Sequence, residues 1–285
     1  QYTTRFLRDA ALGEVAAAKT AGKALFLYAA WNAIHYDVAI PDAHALGQPV
    51  YMKAVGLGLP QERALALAAL RIVDAANEWI YSRLDRDNTI WIQTSDNGGE
   101  PHKGASNYPL RGGKGSGWQG GTQVPCFMWL GANLRGSLKS YEGLVHVTDW
   151  VPTLIGGALG APEALPDDLY GQDLWESLRG NSDKKREDIL LMATAGTGDD
   201  AGEAMISLRT DRYKVLIGQA PCAVGTPSSG YAGCDCSSDR TTVWVSDLLE
   251  DPSERTNLNC GDALPADVRA DLAERLARSW DAHVE

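Results

Sequence analysis

The sequence predicts an α/β fold: a mostly parallel sheet flanked by helices, joined to a small C-terminal antiparallel sheet with one packing helix. Three observations point there. Helical and strand-like segments alternate up to about Gly180, the order that builds a parallel sheet covered by helices. Beyond Gly180 the pattern becomes short strand-like runs separated by turns. The last of these is followed by one amphipathic segment, LPADVRADLAERLARSWDAH, with Leu264, Val268, Leu272, Leu276 and Trp280 on one face. The division predicted from this change of character is 1–185 for the large α/β part and 186–285 for the small one.

The elements follow in order. RFLRDAALGEVAAAK has helical spacing, and Gly22 supplies its stop. KALFLYAAW is a continuous apolar run between polar boundaries, the pattern of a buried parallel strand, and it delivers Asn32 and His35 to its end. Residues 41–49 read as loop. PQERALALAALRIVDAANEWIYSRL is a long amphipathic helix with Pro60 suited to its first turn. TIWIQTS and VPCFMWLG read as buried strands, and VHVTDWVPTLIGGALG as a short strand and then a helix capped by Asp149. DILLMAT, AMISLRT, RYKVLIG and TTVWVSDLL form the late strands, with Asp211 and Arg212 as a tight hairpin between the second and third.

Composition narrows the function. The 285 residues carry a net charge of −11, which leaves no basic stripe to neutralise phosphates and argues against nucleic acid as a partner. An anion site in such a protein has to be a local cationic pocket. No apolar run approaches the roughly 20 residues that span a membrane. The sequence opens on Gln1 with neither an initiator Met nor a signal-peptide pattern, so a processed, truncated or partly represented chain is expected. Cys222, Cys234, Cys236 and Cys260 cluster in one loop-rich stretch; a Cys-x-Cys without any Cys-x-x-Cys favours disulfides over zinc. Cys126, alone in VPCFMWLG, reads as a small buried hydrophobe.

The chemistry concentrates in TIWIQTSDNGGEPHKGASNYPLRGGKGSGWQGG, Thr89 to Gly121. Ligands of open α/β sheets bind beyond the carboxyl ends of strands, where Asp96 and Asn97 fall, and so does His35. A carboxylate beside a carboxamide offers the hard oxygens that Ca²⁺ or Mg²⁺ takes. Gly98 and Gly99 let the backbone turn sharply and approach a ligand closely. Lys114, among Gly112, Gly113, Gly115 and Gly117, reaches an anion as a point charge. Each piece has an ordinary reading: Asp-Asn-Gly-Gly is a good turn, a lone histidine after a strand is usually structural, and a lysine in a glycine loop is usually solvated. Their joint appearance at strand ends describes a cation holding an oxyanion, with a histidine placed to move a proton.

TSDNGG, NYPLRGGKGSGWQGG and VHVTDWVPTL together resemble the sulfatase family in its arylsulfatase B-like branch, within the alkaline-phosphatase superfamily. LFLYAAWNAIHYDVAIP is similar to that family's histidine-bearing strand and loop, and VWVSDLLEDPSERTNL to its C-terminal signature. The resemblance covers almost the whole chain in order. It implies an alkaline-phosphatase-like fold and sulfuric ester hydrolysis, with a sulfate ester as substrate. It further implies that Asp96 and Asn97 bind a calcium ion, that Lys114 contacts the sulfate, and that His35 contacts the sulfate or the leaving-group oxygen. His146 and Asp149 match family positions too, but the preferred readings are packing for His146 and a helix cap for Asp149. His102 falls beside the motif as a supporting residue, and His44 and His283 read as surface residues.

The same resemblance implies an N-terminal region absent from these residues. It would carry a formylglycine nucleophile, made from the Cys of a Cys-x-Pro-Ser-Arg motif, and the remaining metal-binding aspartates. Cys236-Ser-Ser-Asp-Arg240 has the Cys and Arg spacing but lacks the Pro and lies on the wrong side of the Asp96 motif. Asp96 and Asn97 supply only part of the six to eight oxygens of a calcium site. The expectation is a chain inactive alone and partnered by its own N-terminal half, as the same or a cleaved chain. A secretory-pathway location, extracellular, periplasmic or lysosomal, goes with the family. A catalytically inactive sulfatase-like structural or binding subunit is the alternative, and a metal-dependent phosphatase on the same fold a weaker one. Retention of Asp96, Asn97, Lys114 and His35 favours the enzyme.

Overall fold

A computed structural model describes residues 2–35, 38–41, 45–137, 140–194, 205–218, 243–260 and 263–284, the side chains of 280–284 apart. The chain divides into two compact units. The first comprises Gln1–Thr94, Gly99–Ser106 and Cys126–Leu134, the second Ser95–Gly98, Asn107–Pro125 and Arg135–Glu285.

In the first unit, helices α1 (Thr3–Ala21), α2 (Gly47–Gly56) and α3 (Gln61–Tyr81) accompany a two-stranded ladder of β1 (Ile90–Thr94) and β2 (Cys126–Leu130). Both long helices stop and start where the sequence places the signals. Gly22 ends α1 in a left-handed conformation at φ +63°, and Pro60 immediately precedes α3 at φ −54°. The buried stripe of α3 is rich in alanine, with Ala64, Ala68 and Ala69 fully enclosed. Such small side chains let neighbouring helices approach closely. Ala11 and Val15 of α1 meet Ile80 of α3, with Leu12, Trp31, Leu84 and Trp91 around them. Asn77 ties three segments together: it accepts from Trp31 Nε1 at 3.0 Å and donates to Gln93 Oε1 at 3.0 Å.

Four local expectations change here, the first being that α2 begins at Gly47, inside residues 41–49 read as loop. The run 24–31 lies outside any ladder among the described residues, and Phe26 and Tyr28 are 82% and 83% exposed. An all-apolar run signals a strand with neighbours on both edges, and these described residues provide it none. Strand β2 forms, but pairs antiparallel with β1, Thr94 facing Cys126. Cys126 is exposed rather than buried, at the end of the ladder opposite Thr94. Partial desolvation still pushes its thiol pKa up, opposed by a hydrogen bond with Thr94.

The second unit holds the small sheet. Strands β3 (Asp188–Thr194), β4 (Met205–Thr210), β5 (Tyr213–Ile217) and β6 (Trp244–Asp247) follow one another antiparallel in sequence order. The hairpin at Asp211 and Arg212 sits where the sequence puts it, and Arg212 pairs with Asp247 at 2.7 Å. Strand alternation then assigns two faces. Val215 and Val245 point to α6 (Ala266–Val284) and pack with Leu264 and Leu272, with Val268 and Leu276 alongside. The adjacent residues Leu216 and Trp244 turn to the opposite face, where they pack with Trp118. Short helices α4 (Gln119–Thr122) and α5 (Trp175–Arg179) complete this unit.

Asp149 does more than cap. It is the third residue of a tight turn whose first N–H, that of His146, donates to Asp149 Oδ2 at 2.7 Å. Its other oxygen accepts from Gln172 N at 2.8 Å and Arg186 Nη1 at 2.6 Å. Both members of the Asp149–Arg186 pair are buried. The turn leads into a wide helical segment, Pro152–Ala158, where Gly157 packs against Trp175 and Asp173. His146 stacks edge-on to Tyr170 at 5.7 Å, the packing role expected of it.

Truncating Leu272 to Ala should cost about 2–5 kcal/mol, read as a shift of the urea midpoint, because it empties the centre of the α6 interface. A second expectation concerns pH. Burial, and after it the Arg186 cation, lower the His146 pKa below its ordinary 6.5. Between the lowered folded value and 6.5 the unfolded chain binds more protons, so stability contributed by neutral His146 is present above 6.5 and lost as pH falls below it. Denaturation series between neutral pH and pH about 5 should show that loss, and His146→Asn should flatten it.

Candidate active site

The sequence-predicted residues divide between the two units. Asp96, Asn97 and Lys114 belong to the second, and His35 to the first. His35 is exposed, and its N–H donates to Asn32 O at 3.2 Å in a turn after the 24–31 run. His102 is exposed, with Nε2 3.7 Å from Glu100 Oε2. His44 and the side chain of His283 lie outside the described residues, as do Cys222, Cys234 and Cys236 and the Cys236–Arg240 segment.

Asp96 and Asn97 directly follow β1. The Asn97 N–H donates to Asp96 Oδ1 at 3.0 Å, and Ser95 Oγ donates to Asn97 O at 2.9 Å. These bonds fold the pair into a local turn, with Asp96 exposed and Asn97 half-buried. The next residue explains the glycine. Gly98 N donates to Gly121 O at 2.9 Å, and a Cβ on Gly98 would stand 1.7 Å from Gly120 O. The sequence assigns Gly98 to close approach to a ligand; what it approaches is the backbone of the glycine-rich loop.

That loop is wound on itself. Gly120 N donates to Arg111 O at 2.6 Å, Asn107 Nδ2 to Gly112 O at 3.0 Å, and Ser116 Oγ to Gly113 O at 2.7 Å. Gly112 adopts φ +77°, and a Cβ there would strike Ser116 Oγ at 2.6 Å and Trp118 Cβ at 2.7 Å. Only glycine meets both demands. Lys114 sits half-buried in the turn between these contacts. A carboxylate, a carboxamide and an ammonium are thus carried by two segments locked backbone to backbone.

For a metal, the donors are of the right kind but few. Asp96 and Asn97 offer hard oxygens suited to Ca²⁺. Among the described residues no group of three or more His, Cys, Asp or Glu is gathered as a metal site. The pair therefore fits part of a calcium shell.

Sequence reasoning missed the residues beneath the loop. Arg111, Gln119, Lys214 and Glu254 are all buried. The sequence signals were a lysine second in the otherwise apolar strand YKVLI, and the motifs NYPLRGGKGSGWQGG and VWVSDLLEDPSERTNL, which contain Arg111, Gln119 and Glu254.

The family model described as Sulfatase matches residues 1–161. Mouse (Mus musculus) arylsulfatase J is 30% identical over 264 residues, covering 83% of this chain and 42% of that protein. The crystal structure of Ps i-CgsB superposes with a TM-score of 0.73 at 23% identity, over 99% of this chain and 56% of that one. The putative sulfatase yidJ from Bacteroides fragilis gives a TM-score of 0.63 at 19% identity, over 90% and 54%. The chain thus spans less than half the length of its mouse relative and about half that of these solved neighbours. The neighbours carry the alkaline-phosphatase-like fold expected from the sequence, and the family match over more than half of the residues makes this chain a member of the sulfatase family.

Proposed function

We propose that this chain serves a sulfuric ester hydrolase, with Lys114 and His35 acting on the sulfate ester and Asp96 and Asn97 holding part of a calcium ion. The observation that carries the reading is the backbone lock between Gly98 and Gly121, which fixes the metal-binding pair to the Lys114 loop. Lys114 stabilises negative charge on the non-bridging sulfate oxygens as it grows in the transition state. His35 stands by the bridging oxygen and gives a proton to the departing alcohol. A calcium ion bound there supplies Lewis acidity toward the sulfate oxygens. The attacking formylglycine, and the rest of the metal shell, belong in this reading to an N-terminal half outside the 285 residues. That half is also the partner proposed for the exposed apolar run 24–31, since Phe26 and Tyr28 need cover.

The remaining parts follow the family. We take residues 1–185 as part of the large domain and 186–285 as the small one. An acidic protein is an unfavourable surface for a long sulfated polyanion, so the substrate is a small sulfate ester or a chain end. No helix among the described residues is long and apolar enough to cross a membrane. A secretory-pathway location fits the disulfides proposed among Cys222, Cys234, Cys236 and Cys260.

Sulfate release from an aryl sulfate by the full-length protein tests the reading. Lys114→Ala should lower turnover on the order of 100-fold or more with the fold intact by circular dichroism. Asp96→Ala should weaken both turnover and calcium affinity by titration, and the 285 residues alone should release no sulfate. Wild-type turnover by the Lys114 variant of a calcium-loaded, formylglycine-bearing protein would remove Lys114 from the mechanism. If no full-length form carries the nucleophile, the non-catalytic subunit replaces the enzyme. Thiol titration of the denatured, unreduced chain should find one free thiol, Cys126; five would refute the disulfide assignment.

A further inference from the structure

The loop-facing side of the small sheet carries charge where an ordinary core carries none. Lys214 and Glu254 are 1% and 0% exposed. Lys214 Nζ lies 3.4 Å from Glu254 Oε1 and donates to Gln119 Oε1 at 3.0 Å. Glu254 Oε2 accepts the Gln119 N–H at 2.6 Å, and the Glu254 carbonyl accepts from Arg111 Nη1 at 2.9 Å. The Arg111 guanidinium lies over Trp118 at 3.7 Å and Trp244 at 4.5 Å. One residue, Glu254, therefore holds the entry of the Lys114 loop through Arg111 and its exit through Gln119. Glu254 itself adopts φ +54°, a conformation a non-glycine residue keeps only when its surroundings over-determine it. Burial lowers Lys214 to a pKa of about 8 against the pull of Glu254, so the ammonium still predominates at neutral pH.

We infer that Glu254, with Lys214 and Arg111, is a positioning residue for the active site, clamping both ends of residues 111–119 so that the small C-terminal sheet sets where the Lys114 ammonium stands. A purely apolar contact would also bury the loop, but it would not fix the direction of its two ends. The Arg111 guanidinium on the Glu254 carbonyl, and the Gln119 N–H on the Glu254 carboxyl group, do. The inference rests on the reading of Lys114 as the sulfate contact, and its test separates the two.

The full-length protein is compared with Glu254→Gln, Arg111→Lys, Lys114→Ala and the pair Glu254→Gln/Lys214→Met. Peptide-resolved hydrogen exchange reads 112–122 against α6, and calorimetric titration with inorganic sulfate reads affinity. Glu254→Gln strands the Lys214 cation, and should speed exchange of 112–122 and weaken sulfate on the order of 10-fold, leaving α6 unchanged. The pair removes the stranded cation and keeps an acceptor for Gln119, so it should regain most of both. Arg111→Lys releases only the entry and should loosen the loop without Glu254 being touched; it carries the test if Glu254→Gln does not fold. A loop that stays protected in the single variants, or that loosens only in step with α6, overturns the clamp. A loosened loop together with unchanged sulfate affinity in Lys114→Ala upholds the clamp and overturns the anion reading of Lys114.

Discussion

The second unit turns on a buried carboxylate. Glu254 arrives from the turn after β6, and its two oxygens and carbonyl meet Lys214, Gln119 and Arg111. Taking such groups out of water is expensive, and a well-packed apolar cluster of the same volume is often at least as stable. What the charged arrangement adds is direction. The sheet's other face, Val215 and Val245 against Leu264 and Leu272, shows what the same strands do when only cohesion is needed. Two faces of one sheet thus do different jobs: apolar packing holds α6, and on the other face hydrogen-bonded charge joins the Trp118, Leu216 and Trp244 cluster in holding the loop.

The glycines follow from that constraint. Once Arg111 and Gln119 are held, the chain between them has to turn back within a few residues and still leave room for Gly98 to dock. Gly120 N meets Arg111 O, Gly98 N meets Gly121 O, and the positions of closest approach tolerate no Cβ. The glycine run is therefore a packing requirement of the loop against its own backbone and against the 95–98 turn. Lys114 is the charged side chain that this winding carries, half-buried among backbone dipoles.

Much of this was legible in the sequence, and unevenly so. Local signals read well: the caps of α1 and α3, the Asp211–Arg212 hairpin, the four late strands, and the apolar stripe of Leu264, Val268, Leu272 and Leu276 each depend on neighbours a few residues away. The family motif read well because several short patterns recur in order. Readings that depend on distant partners did not. The 24–31 run has the composition of a buried strand, but composition does not supply the neighbouring strands, and Phe26 and Tyr28 stand exposed. Cys126 has an apolar setting in sequence and an exposed one in the ladder, because which end of a strand is covered is decided elsewhere. The Glu254 cluster joins residues up to 143 positions apart, and in DPSER a buried glutamate looks like any turn glutamate. Only Lys214, charged between Tyr213 and Val215, broke a local rule.

Electrostatics gives the arrangement its last step. With a net charge of −11, these 285 residues on balance repel anions, so an anion site among them has to be made by cations held at close range. Long-range attraction contributes little here beyond about 8–10 Å in physiological salt, which leaves position as the quantity that matters. A lysine on a flexible surface loop would spend its charge on solvent and on nearby carboxylates. Winding the Lys114 loop on its own backbone, and fastening both of its ends to a buried glutamate, removes that freedom before any ligand arrives. In the proposed reading of Lys114 as the sulfate contact, the cost of burying Lys214 and Glu254 is borne in the folded state, and none of it has to be met when the anion binds.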